Sequence, residues 1–142
     1  MLVVMADAFD PRFGEAWSGA QLTGTMIQAG SWTRLAIDDD LVVGFTLCRR
    51  IVDETELLLV GVRRDWRGRG IGSILMATAA TEATGFGARS MFLEMRDGNA
   101  AAAQLYHNQG FVEVGRRRDY YRGVDGQRFD AITFRRNLDV AS

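Results

Sequence analysis

The stretch 57–73, LLLVGVRRDWRGRGIGS, restricts the fold of this chain more than any other. Residues 57–62 form an unbroken apolar run of strand length, and apolar helical spacing begins after Gly70. The spacing predicts a buried strand that passes through an arginine- and glycine-rich loop into a helix. A strand feeding a helix in this way makes an anion cradle. The first N–H groups of a helix have no internal partners and sit at the positive end of its dipole. Glycines at 68, 70 and 72 remove the side chains that would hold a pyrophosphate away from them.

Spacing separates the kinds of cradle. A nucleoside-triphosphate loop ends in Gly-Lys-Ser/Thr, and a chain without lysine cannot supply it. The dinucleotide fingerprint G-x-G-x-x-G fits poorly to glycines at alternate positions, and antiparallel hairpins expected before the loop disfavour a Rossmann sheet. What remains is Arg/Gln-x-x-Gly-x-Gly/Ala, met by Arg67, Gly70 and Gly72. It resembles the acetyl-CoA loop of the GNAT N-acetyltransferases. Taken alone the loop also suits a plain tight turn, so the rest of the chain has to decide.

A length of 142 residues suits a single domain, 1–142, with a real core. A formal net charge of -1 argues against a protein that binds nucleic acid by general electrostatic attraction. All 17 basic residues are arginine. The lone Cys48 cannot close an internal disulfide, no Cys/His grouping has zinc spacing, and no targeting or membrane-anchoring stretch is legible, so a cytoplasmic protein without a metal is expected. With no histidine near it in sequence, Cys48 reads as a small packing residue.

In chain order, residues 2–9 predict the end of a short helix stopped by Pro11. Ser18 and Gln21 form a capping box for a second helix that Gly30 ends. The segment 12–31 reads equally as a mobile lid or as an ordinary helical cover. Period-two patterning then predicts a hairpin, 33–37 and 41–50, around the turn Asp38-Asp39-Asp40, and a second reversal at Asp53-Glu54 into strand 55–62. The helix after the cradle is expected over 71–84 with Ile71, Ile74, Leu75 and Thr78 on one face. A strand at 90–95, a helix from Asn99 to Gln109 closed by Gly110, and strands 111–118 and 128–136 complete the reading.

Residues 92–111, FLEMRDGNAAAAQLYHNQGF, carry the specific resemblance. Strand, helix-capping asparagine, tyrosine and Gly-Phe follow a GNAT signature, and more narrowly the pattern is similar to that of the RimI-type ribosomal-protein alanine N-acetyltransferases. The tail Arg117-Arg118-Asp119-Tyr120-Tyr121, Asp125-Gly126 and Asp130-Ala131-Ile132 resembles the ending of the same family, with Phe134 where methionine is usual. The likeness covers about 17–138. It implies an α/β (α+β) GNAT fold: a central mixed, mostly antiparallel sheet flanked by helices. The family's first strand, before its first helix, has no counterpart here, so the sheet's first edge is expected to be missing or replaced. Ala16 also stands where the family often has proline.

The resemblance implies direct acetyl transfer from acetyl-CoA to an amine, in agreement with the lack of a G-x-S-x-G elbow or a spaced Cys/His pair. It assigns backbone groups of Val60, Gly61 and Val62 to the pantetheine arm and acetyl oxygen. Arg67, Gly68, Arg69, Gly70, Ile71, Gly72 and Ser73 fall to the pyrophosphate, and Asn99 to a further cofactor contact. Glu94 becomes the base and Tyr106 the acid. Glu94 stands out independently, because a carboxylate inside the apolar strand MFLEM is costly unless it is paired or used. The plain alternatives are a solvent-facing Glu94, a core Tyr106 and an Asn99 that only caps; His107, one helical step from Tyr106, reads as exposed. The implied acceptor is a protein N-terminus, on a small-subunit ribosomal protein, and the protein is expected as a monomer or weak dimer that binds neither nucleic acid nor membrane. A small-molecule amine acceptor and a non-catalytic acyl-CoA-binding module are the alternatives. Arginines 116–118 could guide an acidic peptide or form a solvated strand end.

Overall fold

A computed structural model describes residues 1–8 and 18–138. The chain runs α1 (Leu2–Ala8), α2 (Gly19–Met26), β1 (Ser31–Asp38), β2 (Leu41–Ile51), β3 (Glu54–Val62), a 3-10 turn (Arg64–Trp66), α3 (Ile71–Gly85), β4 (Ser90–Arg96), α4 (Ala100–Asn108), β5 (Val112–Arg122) and β6 (Arg128–Asn137). One six-stranded sheet has the order β1-β2-β3-β4-β6-β5. Only β3 and β4 are parallel. This is the mixed, mostly antiparallel sheet expected. Among the described residues no strand precedes α1, and β1 forms the outer edge. No helix among them is long and apolar enough to cross a membrane.

The local signals act as their chemistry requires. Gln21 N–H donates to Ser18 Oγ and Ser18 N–H donates to Gln21 Oε1, closing the capping box of α2. That helix stops at Met26, before Gly30; with φ +85° the glycine makes the turn into β1 instead. Pro11 and residues 12–17 of the lid reading lie outside the described residues. Asp39 and Asp40, at φ 45° and 66°, form the first hairpin turn, which aspartate tolerates better than most residues. Val52, at φ 55°, opens the second.

Two apolar clusters flank the sheet. One gathers Val4, Met5 and Leu22 of α1 and α2 against Phe45, Leu47 and Leu59. The other gathers Met76, Ala79 and Ala83 of α3 and Tyr106 of α4 against Cys48, Leu57, Met91, Leu93 and Phe134. The inner face of α3 differs from expectation. Ile74 is 66% exposed and Thr78 is exposed, while Leu75, Met76, Ala79, Ala80 and Ala83 are buried. The alanines form the true i, i+4 stripe and let the helix lie close to the sheet; the larger Ile74 suggested a face that the helix turns outward.

Candidate active site

Leu57 and Leu59 have the same parity in β3, yet they pack in opposite clusters. A β-bulge is the cause. Cys48 pairs with Leu57 and Leu47 with Leu59, so Leu58 is an extra residue in β3 and the strand changes faces across it. Beyond it the strands part. β3 pairs with β4 only from Glu54↔Ser90 to Glu56↔Phe92, which leaves the β4-facing edge of residues 57–62 without a strand partner. The site sits in this opening.

A cavity of about 560 Å³ occupies it, lined by Val60, Gly61 and Val62, by the loop, by the first turn of α3 and by α4. Of the residues assigned to the cofactor from the sequence, Arg67, Gly68, Gly70, Ile71, Gly72, Ser73 and Asn99 also line it. Arg69 does not; its guanidinium lies 5.6 Å from the centre of the Trp66 ring. The cradle fits a diphosphate. Gly68 and Gly70 have φ of +76° and +80°, and a Cβ on either would project into open space within 4 Å. Gly72 is different: its Cβ would meet Leu105 Cδ2 at 3.2 Å, so that glycine also lets α3 approach α4. An anion could therefore approach the free N–H groups at the start of α3 with no side chain from these glycines between them.

The loop's arginines largely hold the loop itself. Arg64 donates from its backbone N–H to Asp7 Oδ2 (2.7 Å) and from Nε to the Asp7 carbonyl (2.8 Å). Arg67 Nη2 donates to the Ala8 carbonyl (2.6 Å), and Arg63 Nε to the Val42 carbonyl (2.7 Å). The C-terminal end of α1 thus serves as a clamp on the cradle, a role that sequence reasoning missed because the partners are more than fifty residues apart.

A smaller cavity, about 80 Å³, adjoins it along β4, with Glu94, Leu58 and Tyr121 in its wall. Val60, Arg96, Asn99 and Tyr106 line both. Glu94 and Tyr106, from a strand and a helix, are therefore brought together around one space. Asn99 caps α4, its Oδ1 accepting from Ala102 N–H (3.2 Å), and Tyr106 lies two turns on, 8% exposed and packed against Phe111 and Phe134. His107 is exposed. Glu94's side chain is only 23% exposed, so it does not project freely into solvent; its Oε1 lies 3.0 Å from Arg117 Nη2. Burial raises its pKa above the usual carboxylate range; Arg117 works against this and the Glu56 carboxylate adds to it. Arg96 and Tyr121 were missed as site residues. Arg96 had a signal, since it stands two residues from Glu94 on one strand.

Cys48 is fully buried and its thiol is pushed up to about 12, chiefly by burial, as suits a packing residue. Among the described residues no three His, Cys, Asp or Glu side chains gather as a metal site would need.

The acetyltransferase (GNAT) family model matches residues 3–111 of the 142. The chain belongs to the GNAT family. A GNAT relative, the [ribosomal protein bS18]-alanine N-acetyltransferase of Salmonella typhimurium, is 36% identical over 94 residues, 66% of this chain and 63% of the relative. The N-alpha-acetyltransferase RimI of Mycobacterium tuberculosis is 43% identical over 84 residues, 59% of this chain and 49% of its own length. The matches therefore span from about half to under two thirds of these curated relatives. The crystal structure of the ribosomal-protein-S18-alanine N-acetyltransferase from Escherichia coli superposes with a TM-score of 0.86, covering 99% of this chain and 87% of that one at 26% identity. The opening between β3 and β4, with the glycine-rich loop at its mouth, is the candidate site of this GNAT fold.

Proposed function

We propose that this chain acetylates the N-terminal α-amine of a protein, with the alanine of a small-subunit ribosomal protein as its acceptor in the cytoplasm. One observation carries the reading: a partly buried carboxylate, Glu94, and a phenol, Tyr106, line one space where a diphosphate-sized cradle meets a smaller cavity. Relatives named for acetylating alanine of ribosomal protein bS18 support the choice of acceptor.

Acetyl-CoA would supply the activated acetyl group: the amine nitrogen bonds to the thioester carbon and the carbon–sulfur bond breaks. The backbone N–H groups at 68–73 hold the diphosphate, and Val60 to Val62 offer backbone groups to the arm between diphosphate and thioester. Glu94 takes a proton from the amine, directly or through one water. Its raised proton affinity narrows the gap to the amine and helps that transfer. Tyr106 gives a proton to the departing sulfur. Deprotonating an α-amine at pH 7 costs about 1 kcal/mol against about 4.6 kcal/mol for a lysine side chain, which favours the α-amine for a single carboxylate.

A panel of amines with acetyl-CoA tests the reading. Peptides beginning with alanine are expected to exceed lysine side chains and free amino acids in kcat/KM. A polyamine, antibiotic or free amino acid better by about tenfold, a difference of about 1.4 kcal/mol, would leave only the GNAT assignment standing.

A further inference from the structure

An acceptor amine has to come within hydrogen-bond reach of Glu94, about 3 Å, and it arrives as a cation at neutral pH. That place already holds a cation. Arg117 Nη2 lies 3.0 Å from Glu94 Oε1, and the two ends of the pair are unlike: the arginine side chain is 61% exposed, the glutamate 23%. Arg117 therefore reaches in from solvent, and a pair with one end so exposed is weak enough to exchange.

We propose that Arg117 is a placeholder for the acceptor: its guanidinium neutralises Glu94 in the free protein and swings out when the substrate ammonium docks in its place. Arg117 is on this view a positioning residue that acts through Glu94, and the inference rests on Glu94 being the base.

The surroundings give the arginine somewhere to go and hold its backbone still. Its guanidinium already lies 5.1 Å from the ring centre of Tyr120, whose side chain is at the surface, so an outer perch exists. Arg117 pairs with Ala131 and Tyr121 with Phe129, which leaves residues 118–120 opposite Asp130 alone. This bulge is pinned. Asp119, at φ +53°, donates its N–H to Asp130 Oδ1 (3.0 Å), and Arg116 Nη1 holds both Asp97 (2.7 Å) and Asp130 (2.8 Å). With the main chain fixed on both sides, the long Arg117 side chain is the part able to move. Arg116 is committed to two aspartates, which weakens the idea that the basic run guides an acidic peptide.

The charges around Glu94 make the exchange useful. Glu56 of β3 faces it and is itself paired with Arg49 at 3.0 Å. Arg96 of β4, Asn99, Tyr106 of α4 and Tyr121 of β5 share its cavity, and its partner on β6, Thr133, is neutral. Arg117 lowers the carboxylate's proton affinity in the free protein, where a proton would waste the base. When the acceptor displaces it, a cation that cannot give up a proton is replaced by one that can. The exchange replaces one positive charge by another and breaks no covalent bond; the ammonium proton then moves to Glu94 and leaves a neutral nitrogen.

Arg117→Gln and Arg117→Lys, with acetyl-CoA and a peptide beginning with alanine, test this. The profile of kcat/KM against pH reports the free protein and that of kcat the complex. Arg117→Gln is expected to move the acidic limb of kcat/KM to higher pH, leave that of kcat in place, and lower KM for the peptide about two- to fivefold. Arg117→Lys should restore the wild-type limb. The peptide amine titrates alike with every variant, so differences between variants report the protein, and circular dichroism melts verify folding. Limbs of kcat and kcat/KM that move together would show Arg117 staying on Glu94, and limbs that both stay, or a raised KM, would equally overturn the exchange. Glu94→Gln separates the two levels. An acidic limb that survives in that variant overturns the base assignment itself, whereas its loss with equal shifts in Arg117→Gln overturns the exchange alone.

Discussion

On the proposed function, Glu94 sets chemistry against stability within one side chain. Its folded pKa is raised, so its contribution to stability is fully present below the unfolded carboxylate pKa and is lost as pH rises through the folded one. The ionised form is the one that burial penalises. Glu94→Gln is expected to raise the melting temperature at pH 7, to leave it unchanged or lower at pH 4, and to abolish the acidic limb of the rate; calorimetry at the two pH values checks the sign. Asp130 has the opposite sign. Its carboxyl is held below the usual range by the Asp119 N–H and Arg116, so its contribution is present above the unfolded pKa and fades as pH falls through the folded one. Tyr106→Phe keeps the ring against Phe111 and Phe134 and removes only the hydroxyl. It is expected to lower kcat by about 10²-fold with acetyl-CoA affinity little changed, and a near-normal kcat from pH 6 to 9 would make the tyrosine a packing residue. Glu94 stood out in the sequence as a charge in an apolar strand, whereas Tyr106 was singled out by the family resemblance alone. Arg117 broke no local pattern, since its meaning depends on a pairing with Glu94 across 23 positions of chain.

Turns and bulges carry what sequence patterning leaves out at the scale of the element. Patterning and caps located the strands and helices between Ser18 and Leu138, although β1 and β5 have no fully buried face. They were silent on the extra residue at Leu58, since a bulge leaves the run LLLV as apolar as before, and that bulge is what turns β3 across the opening. The inner face of α3 was misjudged for a related reason: alanine is weakly apolar on any scale but fits where the helix lies close to the sheet. The Val52–Asp53 turn is a test of backbone strain. Ile51 pairs with Glu54, so the loop has two residues, and Val52, a β-branched residue 86% exposed, holds φ at 55° in the position where glycine is the usual occupant. Left-handed backbone costs a residue with a Cβ about 1–2 kcal/mol. Val52→Gly is expected to stabilise the protein by about 1 kcal/mol in urea denaturation, with kcat unchanged because the turn is absent from the lining of both cavities.

For the whole molecule, the mixed, mostly antiparallel sheet and the GNAT architecture were expected from the chain's motifs, while the strand order, the clamp between α1 and the cradle and the shared wall of the two cavities followed only from coordinates. The clamp and the wall join residues far apart in sequence through backbone carbonyls or cavity surfaces, which no side-chain pattern encodes. The three residue pairs between β3 and β4 have a mechanical consequence. A sheet loaded across its strands fails at its weakest row of hydrogen bonds, and here that row divides β1-β2-β3 from β4-β6-β5. The GNAT cavity straddles the same line, with Val60 to Val62 on one side and Arg96, Asn99 and Tyr106 on the other. On the proposed function, acetyl-CoA bound there would act as a rivet, because a ligand held only by the intact protein adds to the work of opening it. Pulled in optical tweezers by handles at the Asp40 and Asp125 turns, the protein is expected to part first along this seam, at a force that rises with acetyl-CoA concentration. A first rupture elsewhere, or a force indifferent to the ligand, would mean that α3 and the core beneath it bear the load. On the proposed function the protein would be strongest while loaded with its donor and weakest just after release, so its turnover would also be a cycle of stiffening and slackening.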